Sequence, residues 1–261
     1  MKSCLILAAG EGKRLQPLTK DSPKGLVSLI GKSLISRQIN NLNTLGIKNI
    51  AIVTGYKAEK FNTFQCKTFY NKFFNITNMV ESLFIARSFL ESAQEDIFIS
   101  YGDIVYEKKN LQIVMDTPGD IVVMVDDSWV DLWSLRNEDP LNDAETLKYG
   151  EKGQIIELGK KPKSMNEIKG QYTGLIKISY HKIKELIDFY DQINRSLLYD
   201  GRSFKQMYMT SFLQLLIEAG WKIMPAKVNN GWLEVDTVKD IQLYERLSAE
   251  GKLDFLWKKD D

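Results

Sequence analysis

A short apolar segment that leads straight into a basic loop with two glycines constrains this chain more than any other feature. Residues 3–8 (SCLILA) form a short apolar run, which predicts a buried parallel strand. Gly10 and Gly12 follow, and because neither has a Cβ the backbone can bring its N–H groups close to an anion. Lys13 and Arg14 can supply the positive charge that a polyphosphate needs. The segment therefore predicts a phosphate-binding loop at the carboxyl end of a strand.

Strand and helix patterns alternate beyond this loop. The pattern consists of strand-like runs at 49–54, 97–101 and 121–125 and of helical spacing at 34–45 and 78–90. This alternation predicts an α/β fold with a Rossmann-like, mixed but mainly parallel sheet flanked by helices. Ligands of such sheets bind beyond the carboxyl ends of the strands, where the Gly10 loop and Asp103 would both lie.

The chain of 261 residues fits one domain without a linker or repeat. We expect a nucleotide-binding part over about 1–125 and an acceptor-binding and closing part over about 126–261. From residue 126 the pattern changes to short strands and turns, which indicates a small mixed or antiparallel lobe for the acceptor. Later segments predict helices at 182–193, 204–219 and 237–248, and strands at 221–226 and 231–235.

Charge and composition exclude several classes of protein. A net charge of +1 argues against a broad nucleic-acid-binding surface. No segment reaches the roughly 20 apolar residues of a membrane span, so we expect no membrane partner and a cytoplasmic location. Cys4 and Cys66, the only cysteines, fit reduced thiols and exclude a cysteine metal site. The single histidine, His181, argues against hydrolases that depend on histidine.

Two segments look like other nucleotide-binding motifs but do not match them. Gly25–Ser33 has five residues between its glycines where a P-loop has four, so we interpret Gly31-Lys32 as an ordinary turn. In the Gly10-x-Gly12 segment, Leu15 occupies the position of the third glycine of a dinucleotide fingerprint. A Rossmann dehydrogenase is therefore excluded.

A longer pattern does match from Leu7 to Lys24. It reads L-A-A-G-x-G-x-R-L-x-P-L-T-x-x-x-P-K and is followed by Gly31, Lys32 and Leu34. This pattern resembles the N-terminal signature of the nucleotidyltransferase family that makes NDP-sugars and CDP-alcohols. The resemblance implies that Arg14 holds the departing pyrophosphate and that Lys24 stabilises charge on the α-phosphate. It also implies that the base and phosphates of the nucleotide lie against Ala8, Ala9, Gly10, Glu11, Gly12 and Lys13.

Two aspartates match the metal ligands of this family. Asp103 follows a predicted strand in SYGD, and Asp236 lies in GWLEVDT near the last strand. The resemblance pairs them around Mg²⁺, a hard cation that prefers oxygen ligands. Glu234 is a neighbouring candidate that we rank below Asp236.

The chain as a whole is most similar to the branch of CTP:phosphocholine cytidylyltransferases. Asn78 and Ser82 match a short helix start near the cytosine in that branch, and WLEVDTVKDIQLYERL resembles its ending. This implies transfer of CMP from CTP to a small phosphorylated acceptor with release of pyrophosphate. The similarity also points to a bacterial subgroup that serves capsule polysaccharide biosynthesis.

The identity of the acceptor stays open at this point. Aromatic rings at Trp129, Trp133 and Trp232 would suit the cation of phosphocholine, whereas Arg136 would suit the carboxylate of phosphoglutamine. Other candidate acceptor contacts are Lys160, beside Lys161, and Tyr172. The alternatives are a sugar-1-phosphate uridylyl- or thymidylyltransferase and, in a different class, a non-catalytic nucleotide-binding protein.

Overall fold

A nine-stranded mixed sheet forms the centre of the computed structural model, which describes residues 2–259. The strands of the whole chain are β1 (Ser3–Ala8), β2 (Ser28–Leu29), β3 (Lys32–Ser33), β4 (Asn49–Thr54), β5 (Lys67–Tyr70), β6 (Ile97–Tyr101), β7 (Ile104–Tyr106), β8 (Ile121–Asp126), β9 (Leu147–Tyr149), β10 (Ile155–Leu158), β11 (Gln171–Ile178), β12 (Leu198–Tyr199), β13 (Arg202–Ser203), β14 (Ile223–Val228) and β15 (Trp232–Glu234). The order in the large sheet is β5-β4-β1-β6-β11-β8-β14-β10-β9. Only β11 and β10 run against the direction of the other strands of this sheet within residues 2–259. The predicted α/β class with a mixed, mainly parallel sheet is confirmed.

Helices cover both faces of the sheet. They are α1 (Leu34–Thr44), α2 (Met79–Ile85), α3 (Arg87–Glu91), α4 (Lys108–Asp116), α5 (Trp129–Arg136), α6 (Ile183–Gln192), α7 (Met209–Glu218) and α8 (Val238–Ala249). Side chains alternate along a strand, so Leu5 and Ile6 of β1 join different apolar clusters. The cluster of Ile6 contains residues of α1, α4, α5 and α8, and that of Leu5 contains residues of α2, α3, α6 and α7. No helix within residues 2–259 is long and apolar enough to cross a membrane.

Short 3-10 segments connect several of these elements. They lie at Lys13–Leu15, Lys24–Leu26, Ala58–Thr63, Pro140–Asn142, Met165–Glu167, Tyr180–Lys182, Phe204–Gln206 and Leu253–Phe255. Residues 28–33 form the β2–β3 hairpin, with Ile30 and Gly31 at φ 47° and 79°. The prediction of an ordinary turn at Gly31 is confirmed.

Three local predictions were wrong. Residues 129–136 form helix α5 and not the predicted short strands and turns. Trp129, Leu132 and Trp133 are buried on one face of this helix. The helix predicted over 78–90 breaks at Ala86 into α2 and α3. The helix predicted over 204–219 covers only 209–218, because the backbone is extended at Met207 and Tyr208 after a 3-10 turn.

The two parts of the chain before and after residue 125 share the large sheet. Strand β8, which ends the first part, lies between β11 and β14 of the second part. The lobe predicted for the acceptor begins with α5 and includes the antiparallel pair β9–β10 at the edge of the sheet. Because β11 returns to the middle of the sheet, the second part contributes residues directly beside the end of β6.

Gly102 holds the end of β6 close to β1. Its N–H donates to the Leu7 carbonyl at 2.9 Å, and a Cβ at this position would lie 2.8 Å from Ala8 Cβ and 2.9 Å from Leu7 O. We expect Gly102→Ala to lower the free energy of unfolding by about 1–3 kcal/mol because paired strands cannot move apart cheaply. Urea denaturation measures this, with Gly10→Ala as the stability control, since a Cβ there meets nothing within 4 Å. Equal stability of the two variants would contradict this account of the β1–β6 packing.

Candidate active site

The loop after β1 is tied to the segment that carries Lys24. Gly12 has φ 71°, and a Cβ there would lie 2.9 Å from Lys24 Cβ, so this position requires glycine. Thr19 Oγ1 donates a hydrogen bond of 2.8 Å to the Gly12 carbonyl. The glycine pattern therefore lets the loop and Lys24 pack against each other at the carboxyl end of β1.

Lys24 lies between the two predicted metal ligands. Its Nζ is 2.7 Å from Asp103 Oδ2 and also forms an ion pair with Asp236 Oδ1. Burial by itself lowers the pKa of the Lys24 ammonium, but the carboxylates of Asp103, Asp236 and Glu234 outweigh it and raise the pKa above its usual range. Lys24 therefore stays charged, and its side chain is only 16% exposed.

Two loops from distant parts of the chain bring these aspartates together. Asp103 joins β6 to β7, and Asp236 joins β15 to α8. Strands β7 and β15 pair with each other, and the Val235 N–H donates to the Asp103 carbonyl at 3.0 Å. Thr237 caps α8 in a capping box with Asp240, which fixes the backbone directly after Asp236.

Three carboxylates could hold a metal ion at this point. One oxygen each of Asp103, Glu234 and Asp236 lies within 4.8 Å of the others. Burial, followed by the nearby carboxylates of Asp236 and Asp103, raises the pKa of Glu234 to about 7, although Arg136 and Lys24 act in the opposite direction. Burial also disfavours ionised Asp236, but Lys24 and Arg14 outweigh it and lower the pKa of Asp236. Asp103 Oδ1 is buried and accepts no hydrogen bond within residues 2–259.

Arg136 is buried beside this cluster and contacts two of its three carboxylates. Its guanidinium contacts Glu234 Oε2 at 2.6 Å, Asp240 Oδ1 at 3.0 Å and Asp236 Oδ2 at 3.7 Å, and its side chain is 5% exposed. Asp240 Oδ2 in turn accepts from the backbone N–H groups of Asp236 and Thr237. Arg136 thus neutralises the charge of these carboxylates and does not line the second cavity, which differs from the expectation that it faces the acceptor.

The first cavity, of about 320 Å³, opens where β1 and β6 end. Most of the residues predicted for nucleotide binding and chemistry line it: Ala8, Ala9, Gly10, Gly12, Lys13, Arg14, Lys24, Asn78, Ser82, Asp103 and Asp236. Glu11 is not part of the wall, and its carboxylate lies 3.8 Å from Lys13 Nζ. Arg14 reaches Asp236 Oδ1 at 3.2 Å while its side chain is 67% exposed.

Asn78 and Ser82 have local structural partners as well. Asn78 Oδ1 accepts from the Met79 N–H and caps α2, and Ser82 Oγ accepts from Asn71 Nδ2 at 3.0 Å. Several wall residues were not predicted from the sequence, namely Phe74, Thr77, Met79, Tyr101 and Gly102. Tyr101 and Gly102 follow a predicted strand directly and could have been found, whereas the loop at 71–77 carries no recognised motif.

A second cavity, of about 190 Å³, adjoins the first. Met79, Tyr101 and Asp236 line both cavities. Of the predicted acceptor residues, the structure brings Trp133, Tyr172 and Trp232 to this wall. The wall also contains residues that were not predicted from the sequence, including Asp143, Glu145, Gln171, Tyr208 and Thr210.

Trp129 and Lys160 do not line the second cavity. Trp129 is 3% exposed and packs its ring against Trp133 at a centroid distance of 6.0 Å. Lys160 is half exposed and lies 3.7 Å from Glu157 Oε2. The contacts of Trp129 and Lys160 are therefore explained by packing and by an ion pair, without an acceptor.

Comparison with known proteins agrees with this architecture. A family model described as the MobA-like NTP transferase domain matches residues 4–155. A CTP:phosphoglutamine cytidylyltransferase of Campylobacter jejuni is 41% identical over 249 residues, which cover 92% of this chain and 98% of that protein.

Two solved structures share the fold at low sequence identity. The inositol-1-phosphate CTP transferase from T. maritima has a TM-score of 0.73 at 20% identity, and the superposition covers 99% of this chain and 98% of that protein. The CTP:phosphocholine cytidylyltransferase from Streptococcus pneumoniae has a TM-score of 0.68 at 20% identity and covers 95% of this chain and 99% of its own. Taken with the Gly10 loop and the Lys24–Asp103–Asp236 cluster, these matches show that the chain is a nucleotidyltransferase and belongs to the MobA-like NTP transferase family.

Proposed function

We propose that this enzyme transfers CMP from CTP to phosphoglutamine, or to a closely related phosphorylated amino acid, and releases pyrophosphate. The observation that carries the proposal is the 41% identity, over 98% of its length, to a CTP:phosphoglutamine cytidylyltransferase. The arrangement of Lys24 and Arg14 beside two aspartates supports it. A role in capsule biosynthesis stays a prediction.

The reaction needs alignment and charge neutralisation more than proton transfer. An oxygen of the acceptor phosphate attacks the α-phosphorus of CTP, a new P–O bond forms, and the bond to the β-phosphate oxygen breaks. The acceptor phosphate is already anionic at pH 7, so no general base is required. The single histidine, His181, lies in a groove between α3 and α6 and lines neither cavity.

Lys24 and Arg14 would act on different parts of the triphosphate. Lys24 lines the first cavity and pairs with Asp103 and Asp236, of which Asp236 also lines the second cavity, so we expect its ammonium to stabilise the charge that develops on the α-phosphate. Arg14 also lines the first cavity and is more exposed, which suits a contact with the departing pyrophosphate. The acceptor would then occupy the second cavity.

Mg²⁺ is the metal that we propose for the carboxylate cluster. Asp103, Glu234 and Asp236 offer hard oxygen ligands within 4.8 Å of one another, and Asp103 Oδ1 has no partner within residues 2–259. When bound, Mg²⁺ would neutralise charge on the phosphates of CTP. The donor set fits this ion because no softer ligand belongs to the cluster.

A pyrophosphate-release assay tests the proposal. The enzyme is incubated with Mg²⁺, each NTP in turn, and phosphoglutamine, phosphocholine, 2-aminoethylphosphonate or glucose-1-phosphate. We expect CTP with phosphoglutamine to exceed every other pair by about 100-fold or more in kcat/KM. Preference for UTP or dTTP with glucose-1-phosphate would support the sugar-nucleotide alternative instead. CTP binding without any release of pyrophosphate would support a non-catalytic nucleotide-binding protein.

A further inference from the structure

Glu145 presents a carboxylate to the second cavity that no other side chain pairs with in residues 2–259. Its backbone is held firmly, because its N–H donates to Gln171 Oε1 at 3.1 Å and its carbonyl accepts from Gln171 Nε2 at 2.6 Å. The backbone of Glu145, just before β9, is therefore held by Gln171, and the side-chain carboxylate takes no part in these hydrogen bonds.

The surroundings of Glu145 disfavour the ionised form of its carboxylate when no ligand is bound. Burial, followed by the nearby carboxylates of Asp143 and Asp200, raises the pKa of Glu145 from 4.5 to about 7. The phenols of Tyr101 and Tyr172 also face it. The other titratable groups on the wall of this cavity are Tyr208, Glu234 and Asp236. Buried charges are normally paired, and the described residues provide no cation here. A ligand that brings a cation would complete the site.

An independent observation comes from Trp133, on another wall of the same cavity. Trp133 is 5% exposed, and its Nε1–H has no acceptor within the described part of the chain. The neighbouring Trp232, at a ring-centroid distance of 5.9 Å, donates its own Nε1–H to Asp126 Oδ2 at 2.9 Å. One indole is therefore satisfied by the protein, and the other needs an acceptor oxygen from elsewhere.

We propose that Glu145 binds the ammonium group of the acceptor and that Trp133 Nε1 donates to its carboxylate, so that the second cavity selects phosphorylated amino acids. This inference rests on the proposed function, since it treats the second cavity as the acceptor site. A primary ammonium can donate N–H bonds to Glu145, whereas a quaternary ammonium cannot. A sugar hydroxyl would leave the charge of Glu145 without a partner.

The test compares Glu145→Gln with Glu151→Gln, a control on the exposed turn after β9. With phosphoglutamine we expect Glu145→Gln to raise the KM for the acceptor at least about 30-fold, with the KM for CTP unchanged, because one partner of a desolvated charge pair is lost. Nα-acetylated phosphoglutamine, which lacks the ammonium, should be an equally poor acceptor for the wild type and for Glu145→Gln. Trp133→Phe should raise the acceptor KM by a smaller factor.

A stability measurement separates recognition from a structural role. Because the pKa of Glu145 is raised on folding, the ionised carboxylate destabilises the protein above about pH 7 and costs nothing below about pH 4.5. Glu145→Gln should therefore raise the Tm relative to wild type at pH 8, and the difference should shrink toward pH 5. Phosphoglutamine should raise the Tm of the wild type but not that of the variant.

The outcomes distinguish the inference from the proposed function. An unchanged acceptor KM in Glu145→Gln, or a wild-type preference for phosphocholine, overturns the role of Glu145 while CMP transfer stands. If the wild type turns over no acceptor, the proposed function fails. Calorimetric binding of phosphoglutamine to the two proteins then decides the inference, and equal affinity overturns it.

Discussion

Lys24→Met is expected to lower kcat/KM for CTP and acceptor by about 1000-fold or more, since loss of one preorganised electrostatic contact in a water-poor site has effects of this order. Lys24 is the cation that pairs with Asp103 and Asp236 on the wall of the first cavity. Methionine keeps most of the side-chain length and removes the charge. Initial rates of pyrophosphate release over a range of CTP and acceptor concentrations measure the effect on kcat/KM, and the rates at saturating substrates give kcat.

The control for this variant is Lys60→Met, an exposed lysine on the 3-10 segment 58–63. It should retain the rates of the wild type. Lys24→Met also leaves two neighbouring carboxylates without their ammonium, so its Tm should fall and should recover when millimolar Mg²⁺ is added. Recovery of the Tm without recovery of turnover assigns Lys24 to the chemistry. Turnover within 10-fold of the wild type would contradict its proposed role.

Asp103→Asn is expected to weaken binding of Mn²⁺, used as a spectroscopic substitute for Mg²⁺, by about 100-fold or more, because even outer contacts of metal ligands are worth 10–100-fold. Asp103 Oδ1 is buried and accepts no hydrogen bond within residues 2–259, and Oδ2 contacts Lys24 of the cluster, so we expect this carboxylate to matter more for metal binding than for stability. Asparagine has nearly the same shape but no charge. Electron paramagnetic resonance of free Mn²⁺ gives the affinity without depending on turnover.

Asp191→Asn is the matched control, because Asp191 pairs with Arg87 on the surface, away from the cluster. Its Mn²⁺ affinity and its rate of pyrophosphate release should equal those of the wild type. For Asp103→Asn, the rate should fall strongly at 1 mM Mg²⁺ and rise in part as Mg²⁺ is increased. An unchanged affinity would remove Asp103 from the metal site and leave Glu234 and Asp236 to be tested.

Much of the fold could be predicted because its signals are local. The buried strands β1, β4, β6 and β8 are short apolar runs, and α1 and α8 show apolar residues at helical spacing with polar caps. Helix α5 was missed because Asp131 and Ser134 interrupt a short pattern that tryptophans dominate. The place of β11 in the middle of the sheet carries no local signal, since strand pairing is decided between segments far apart in the chain.

The candidate site divides in the same way. The loop from Ala8 to Gly12, with Lys24 in contact with it, is one continuous segment, so its motif could be recognised directly. Arg136 was expected at the acceptor because a lone arginine in a polar stretch offers no hint of its partners. Its contacts with Glu234 of β15 and Asp240 of α8 span 98 and 104 residues, and they form only when these distant segments fold beside α5.

The sequence by itself determined the α/β class and predicted a phosphate-binding loop after β1, because both depend on residues that are neighbours in the chain. Its resemblance to a family, and not the spacing of the residues, predicted Lys24, Asp103 and Asp236 as a set. Only the tertiary structure decided that Arg136 contacts the carboxylates of Glu234, Asp236 and Asp240, that Trp129 is buried away from the cavities, and that Glu145 and Trp133 line one cavity with polar groups that have no partner within residues 2–259. Burial and pairing are properties of the whole chain, since a side chain acquires its dielectric surroundings and its partners only when distant segments pack together.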